Sequence, residues 1–181
     1  MPDLLNTVLW YPMRVTYHRE MRIKAFLDKM AVENYVPMNY KWVNTENGGE
    51  WTWMPAIHNL IFIHASRKDI TEMKHNRAEL SSLRFMTRPV AERTEWEVFT
   101  VPDREMESFM RVASAKKDVE FLDIARLADR IGKPVRVMDG PFKGVEGTIL
   151  RIRKNKYVVV KIEGICAVGI TYVPPSQLEM L

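Results

Sequence analysis

Cysteine occurs once in the sequence, as Cys166. An intramolecular disulfide is therefore excluded, and so is a zinc knuckle built on paired cysteines. Cys166 lies in the apolar stretch EGICAVGI, where a core thiol is the expectation and a reactive thiol the alternative. His18, His58, His64 and His75 are the only histidines. They show neither HxxxH nor HExxH spacing, so the spacing predicts no metal site. No Gly-rich loop follows a strand and opens a helix, and no GxSxG elbow or Cys–His pairing occurs. The acidic residues are scattered along amphipathic faces. With no catalytic constellation, the chain is expected to be a non-enzyme without a cofactor. No apolar run approaches the ~18–20 residues that span a bilayer. The opening MPDLLNTVLWYPMR lacks the basic and long apolar regions of a signal peptide. The expectation is a cytoplasmic protein with no membrane partner.

Positive charge is present in modest excess and is unevenly placed. The formal net charge is +4 over 181 residues. Residues 132–181 hold eight Lys/Arg against four Asp/Glu, whereas the preceding residues hold 19 of each sign, so the whole excess lies in the last 50 residues. A small basic module suits a polyanionic or acidic partner, with a solvated surface as the ordinary alternative.

Residues 8–15, VLWYPMRV, read as a strand that Pro12 confines to an edge or bend. Ile23, Phe26, Leu27 and Met30 repeat with helical period, which predicts a helix over 17–33 capped by Thr16 with Glu20 in its first turn. Residues 34–43 read as a strand, NTENGGE as a hairpin turn, and the chain returns from Trp51 through LIFIHA. Ser66 and Asp69 form a capping-box pattern that opens a helix over 67–74. SLRFMT reads as a further strand. After Pro102, Met106, Phe109, Met110 and Ala113 share one helical face. The order β-α-β-β-α-β-α predicts an α+β sandwich with helices against an antiparallel sheet.

Residues 114–131 have no clean period and read as a linker. From Gly132 the texture changes: KPVRVMD, GTILRIRK, KYVVVKI and AVGITYV are β-branched runs broken by GPFKG, KN and EG. Several short strands in 50 residues predict a small β-barrel. The expected domains are thus 1–113 and 132–181, joined by 114–131.

VRVMDGPFKGVEGTILRI (135–152) resembles the KOW motif of NusG and of several ribosomal proteins. LWYPMRVTYHREMRIKAFLDKM, YVPM, PAIHNLIFIHA and VPDREMESFM are similar, in order, to segments of the NusG N-terminal (NGN) domain. The resemblance covers almost the whole chain. It implies an NGN-like α/β sandwich followed by an SH3-like KOW barrel, acting as a transcription elongation or antitermination factor. His58 and Asn59 replace the proline and glycine of the usual cleft motif, and Ile57 and Leu60 replace its aromatics. This favours a specialised paralogue, and the texture resembles the UpxY-type antiterminators of surface-polysaccharide operons.

The resemblance also implies sites. The N-terminal domain would bind the clamp helices of the largest subunit of RNA polymerase through Tyr11, Ile57, Leu60 and Phe62, suppressing pausing or termination. Leu60, Phe62 and His64 alternate and so share a strand face; a plain core role is the alternative for these apolar residues. A second polymerase contact would fall near Thr71 and Glu72. His18, Arg19 and Arg22 would approach nontemplate DNA from the start of the first helix. The KOW module would recruit a ribosomal protein or Rho through Phe142 and Lys143, unless Phe142 folds back on its own barrel. Arg151, Arg153, Lys154 and Lys156 cluster at the next hairpin. Trp51 and Trp53 would either stack on bases or pack on the domain. The rival reading is an RNA- or ribosome-binding KOW protein acting in translation.

Overall fold

A computed structural model of the chain describes residues 5–46, 48–90, 95–127, 132–152 and 154–181. It divides into two compact units, Met1–Pro37 with Ile57–Asp103, and Met38–Ala56 with Arg104–Leu181. The described residues form an α+β structure with several antiparallel sheets.

The chain opens with β1 (Val8–Arg14), whose Trp10, Tyr11 and Met13 are buried. The helix α1 (Glu20–Lys29) is shorter than the predicted 17–33. Tyr17 and His18 have left-handed backbones (φ 61° and 51°), which a right-handed helix cannot contain, and Ala31 (φ 53°) stops it at the other end. Arg19, and not Thr16, takes the N-cap position, with no side-chain bond to the helix. Ile23 and Leu27, four residues apart on one face, are buried.

The predicted strand 34–43 is broken into β2 (Asn34–Tyr35) and β3 (Met38–Thr45). Pro37 lies at the break and has no N–H with which to continue a ladder. β3 pairs with β4 (Gly48–Pro55) as a separate two-stranded ribbon, in register from Met38↔Pro55 to Thr45↔Gly48. Next come β5 (Leu60–Ser66) and α2 (Arg67–Asn76). The capping pair is present: Asp69 N–H donates to Ser66 Oγ at 3.0 Å, and the Ser66 hydroxyl donates to Asp69 Oδ2 at 2.6 Å. β6 (Arg84–Phe85) follows, and β7 (Thr87–Pro89) pairs with β8 (Trp96–Val98). α3 (Asp103–Ala113) begins directly after Pro102, and Met106, Phe109, Val112 and Ala113 are its buried residues.

The sheet of the first unit has the order β2-β5-β1-β6, antiparallel throughout. β5 and β1 are its central strands, so β1 is not the edge strand that Pro12 predicts; β6 pairs only with Met13 and Arg14, which leaves Pro12 outside that ladder. Leu60, Ile61, Phe62 and Ile63 are all buried, so both faces of β5 are covered at this end.

Residues 114–131, read as a linker, contain β9 (Val119–Leu122). The strands β10 (Lys133–Val137), β11 (Glu146–Ile152), β12 (Asn155–Ile162), β13 (Cys166–Ile170) and β14 (Leu178–Met180) follow. All six join one antiparallel sheet in the order β14-β10-β11-β12-β13-β9. Leu127, Leu150, Tyr157, Val159 and Ala167 form one buried apolar cluster, with Leu122 of β9 packed against it. The Tyr157 hydroxyl donates to Glu120 Oε2 at 3.0 Å, tying β12 to β9. Two glycines of the GPFKGVEG segment meet specific demands. Gly144 is left-handed (φ 85°), and a Cβ on Gly147 would come within 2.8 Å of the Val159 carbonyl oxygen. Cys166 is buried, and burial pushes its thiol well above the ordinary range, as suits the core role.

Candidate functional site

The four residues predicted to meet polymerase do not share one exposure. Tyr11, Leu60 and Phe62 are buried, Phe62 completely, because the sheet is covered both on the face of Tyr11 and on that of Leu60 and Phe62. Burial also raises the Tyr11 phenol, against a smaller opposing effect of the nearby Arg67. For Phe62 and Leu60 the core role is the one the packing gives, and neither forms open surface in this conformation. Ile57, on the loop before β5, is half-buried and does reach the surface. His64, expected on the same face as Leu60 and Phe62, is held on several sides. Its ring stacks on Trp10 at 4.7 Å, Nδ1 lies 2.6 Å from Glu33 Oε2, and Nε2 lies 3.5 Å from Asp103 Oδ1.

Sequence reasoning overlooked an aromatic–basic surface at the β6 edge of the same sheet. Phe85 is half-buried, with Tyr11 against it edge-on at 5.7 Å. Lys74 Nζ lies 5.1 Å and the Arg67 guanidinium 5.9 Å from the Phe85 ring centroid. Arg14 and Arg84 are direct cross-strand partners, an arrangement in which like charges repel. A surface depression of about 310 Å³ is lined by Arg14, Arg84, Phe85, Met86 and Thr87. Burial, and secondarily the Arg84 charge, lower the Lys74 ammonium pKa. The signal was faint in sequence because these cations come from β1, α2 and β6 and form no run. The second predicted contact, Thr71 and Glu72, falls on a separate groove of about 550 Å³, lined also by Leu5, Asn6, Arg67 and Lys68.

At the start of α1, His18 and Arg19 are exposed and precede the first helical residue, while Arg22 lies exposed in the first turn. The Arg19 guanidinium sits 5.4 Å from the Tyr17 ring centroid. His18 is joined there by a residue far away in sequence. Its backbone N–H donates to Asn59 Oδ1 at 3.0 Å, and its ring meets the His58 ring edge-on at 4.8 Å. Glu20, buried beneath them, approaches His58 Nδ1 to 3.7 Å. Among the described residues, His18, Glu20 and His58 form the group whose geometry could hold a metal ion. Histidine spacing in the sequence argued against any metal, because His18 and His58 are distant in sequence and only the fold joins them.

In the second unit, the β3–β4 ribbon presents Tyr40, Trp42, Trp51 and Trp53 on one face, as cross-strand pairs Tyr40↔Trp53 and Trp42↔Trp51. Tyr40 stacks on Trp51 at 5.5 Å, yet Trp42 and Trp51 remain more than half exposed. Lys116 Nζ lies 5.0 Å from the Tyr40 centroid. Both tryptophans singled out in the sequence therefore belong to a four-ring surface. Phe142 is 9% exposed, while Lys143 is exposed. The Lys143 carbonyl accepts from Arg111 at 2.6 Å, and Gly144 N–H donates to the Val137 carbonyl at 2.7 Å, which fixes the turn. Arg151, Lys154 and Lys156 are exposed; Arg153 lies outside the described residues.

A protein-family model described as NusG, transcription termination factor nusG, matches residues 9–110, more than half of the chain. A search of curated proteins finds no match.

Proposed function

The chain belongs to the NusG family, a family of transcription elongation and termination factors, and on that premise we propose that it is an antitermination factor that binds RNA polymerase and suppresses pausing or termination. The reading rests on the family match across residues 9–110, which takes in β1, the Ile57–Phe62 segment and most of α3. The polymerase clamp helices would be met by side chains that reach the surface, Ile57 and the Phe85 edge. Buried Tyr11, packed against Phe85, would support that edge, whereas Leu60 and Phe62, on the opposite face of the sheet, would serve as core of β5. His18, Arg19 and Arg22 would face nontemplate DNA, where cations serve phosphate contacts. The four-ring face of the β3–β4 ribbon suits unpaired bases, which stack on aromatic rings whatever their sequence.

Residues 132–181 would be a KOW domain of the SH3-like barrel type. Its motif segment carries the left-handed Gly144 and the close-packed Gly147. A ribosomal protein or Rho would dock on it at Lys143, with Phe142 as scaffold. The protein would act by binding in the cytoplasm, without a catalytic step. The altered PAIHNLIF segment favours a UpxY-type paralogue that works at surface-polysaccharide operons.

The test is binding of the full chain to isolated polymerase clamp helices, coupled to a pausing assay. Binding that is lost in Ile57→Asp, with an unchanged unfolding midpoint, is the expected result. No binding by the native chain, together with tight and salt-sensitive association with rRNA, would reverse the reading in favour of translation.

A further inference from the structure

Three donors from two segments of the chain converge where it enters α1. His18 stands before the helix, Glu20 is its first residue, and His58 comes from the loop ahead of β5. One ligand atom from each lies within 4.8 Å of the others. Glu20 is unusual among them, because its side chain is only 2% exposed. The positive end of the helix dipole favours a carboxylate at this position. Even so, only Oε1 faces His58, and Oε2 has no hydrogen-bond partner among the described residues. A buried carboxylate oxygen without a partner is destabilising unless a cation or a donor meets it.

The backbone around this group is held in conformations that non-glycine residues seldom adopt. Tyr17, His18 and Asn59 are all left-handed, with φ of 61°, 51° and 62°. The Asn59 side chain links the two loops through its bond from His18 N–H. This linkage brings the two imidazoles edge to face over Glu20. The neighbouring Arg19 guanidinium lies over the Tyr17 ring.

We propose that His18, Glu20 and His58 bind a divalent transition ion of the zinc class. Two imidazoles and one carboxylate are the hard-to-borderline N/O donors that zinc accepts, at about 2.0–2.2 Å each. Around a tetrahedral ion such donors stand roughly 3.3–3.6 Å apart. The donors, within 4.8 Å of one another in the structure, would draw together to this spacing by rotation of the His18 and His58 side chains, both of which are exposed. The ion meets the buried Glu20 carboxylate, and the fourth position is left to water. Asn59 is a positioning residue: it holds His18 in place and does not itself donate to the ion.

The test is titration of the chelator-treated full chain with zinc chloride against a chromophoric competitor, with cobalt(II) absorption as the geometric readout. The native chain is expected to bind one zinc, and the cobalt form to show the visible bands of tetrahedral coordination. The His18→Ala/His58→Ala double variant alters exposed side chains only and keeps the fold by circular dichroism; its affinity should fall well over tenfold. His64→Ala and His75→Ala should bind as the native chain does. Asn59→Gly keeps the left-handed backbone and loses the bond to His18, so it should weaken binding by about 10-fold, the scale seen for outer-shell partners. Zinc affinity in the double variant equal to native, or no saturable binding by the folded native chain, overturns the proposal.

Discussion

Trp10 and His64 stand directly opposite each other on β1 and β5, with their rings stacked 4.7 Å apart and 11° from parallel. The stack joins a buried indole to a ring whose two nitrogens face Glu33 and Asp103. Both acids are largely exposed and return to water without loss if the imidazole is removed. His64→Phe should therefore keep most of the stability, whereas His64→Ala should cost about 0.5–1.5 kcal/mol, the scale of a stacked pair. Urea unfolding of both variants, with unchanged slope, checks the difference.

Phe62 and Ile57 should separate folding from partner binding. Phe62 is fully enclosed, so Phe62→Ala should destabilise by about 3–5 kcal/mol through loss of burial and the cavity left behind. Ile57→Asp, at a half-buried loop position, should stay within about 1 kcal/mol of native. Paired denaturation and clamp-helix binding curves should show the first variant failing in stability and the second in binding.

Acid should weaken the six-stranded sheet through Glu146. Two donors of Arg136 bond its Oε1, at 3.0 and 2.7 Å, and Arg104 adds a further contact. The Arg136 hydrogen bond, with the Arg104 and Arg136 charges, holds the Glu146 carboxyl below its ordinary value of 4.5. A depressed folded pKa means that the unfolded chain takes up the proton first. The stabilisation is complete above the ordinary value and disappears as pH falls through the depressed one. Thermal midpoints measured from about pH 6 down to pH 3 should fall less steeply for Glu146→Gln than for the native chain.

Gly144→Ala should destabilise by about 1–2 kcal/mol, because an L side chain in the left-handed region brings Cβ against the following carbonyl. The space around the position is open, with Arg111 Nη1 at 3.7 Å as the nearest atom to an added Cβ. The loss is therefore one of backbone conformation. Gly144→Asn, which tolerates that region better, should recover part of it in the same melting experiment.

Much of the fold was readable wherever a local rule and the tertiary structure agreed. The Ser66–Asp69 cap, the helix after Pro102 and the hairpin at Gly48 each follow from a turn or cap chemistry confined to a few residues. The failures have equally local causes. α1 starts late because Tyr17 and His18 are held left-handed, His18 through its link to Asn59, and periodicity carries no trace of that bond. β9 carries little signal of its own because its four residues pair with β13, far along the chain, and a short strand acquires its pattern from its partner. Alternation places Leu60 and Phe62 on one face of β5, but it is silent about whether that face is open. The His18–Glu20–His58 group is hidden from the sequence for a like reason: His58 is remote in sequence from the other two.

The pairing of β9 with β13 bears on where this protein can be cut. Excision at Gly132, where the residue texture changes, would strip Ala167–Ile170 of their ladder partners and leave Tyr157 without Glu120. The Leu122 side chain would vanish from the apolar cluster at the same stroke. A naked strand of this kind recruits neighbouring molecules edge to edge. A soluble C-terminal half should therefore begin ahead of Val119, and the shorter piece should self-associate. Residues 119–122 thus belong with the strands that follow them, and a cut placed at the change of texture alone would yield an adhesive fragment.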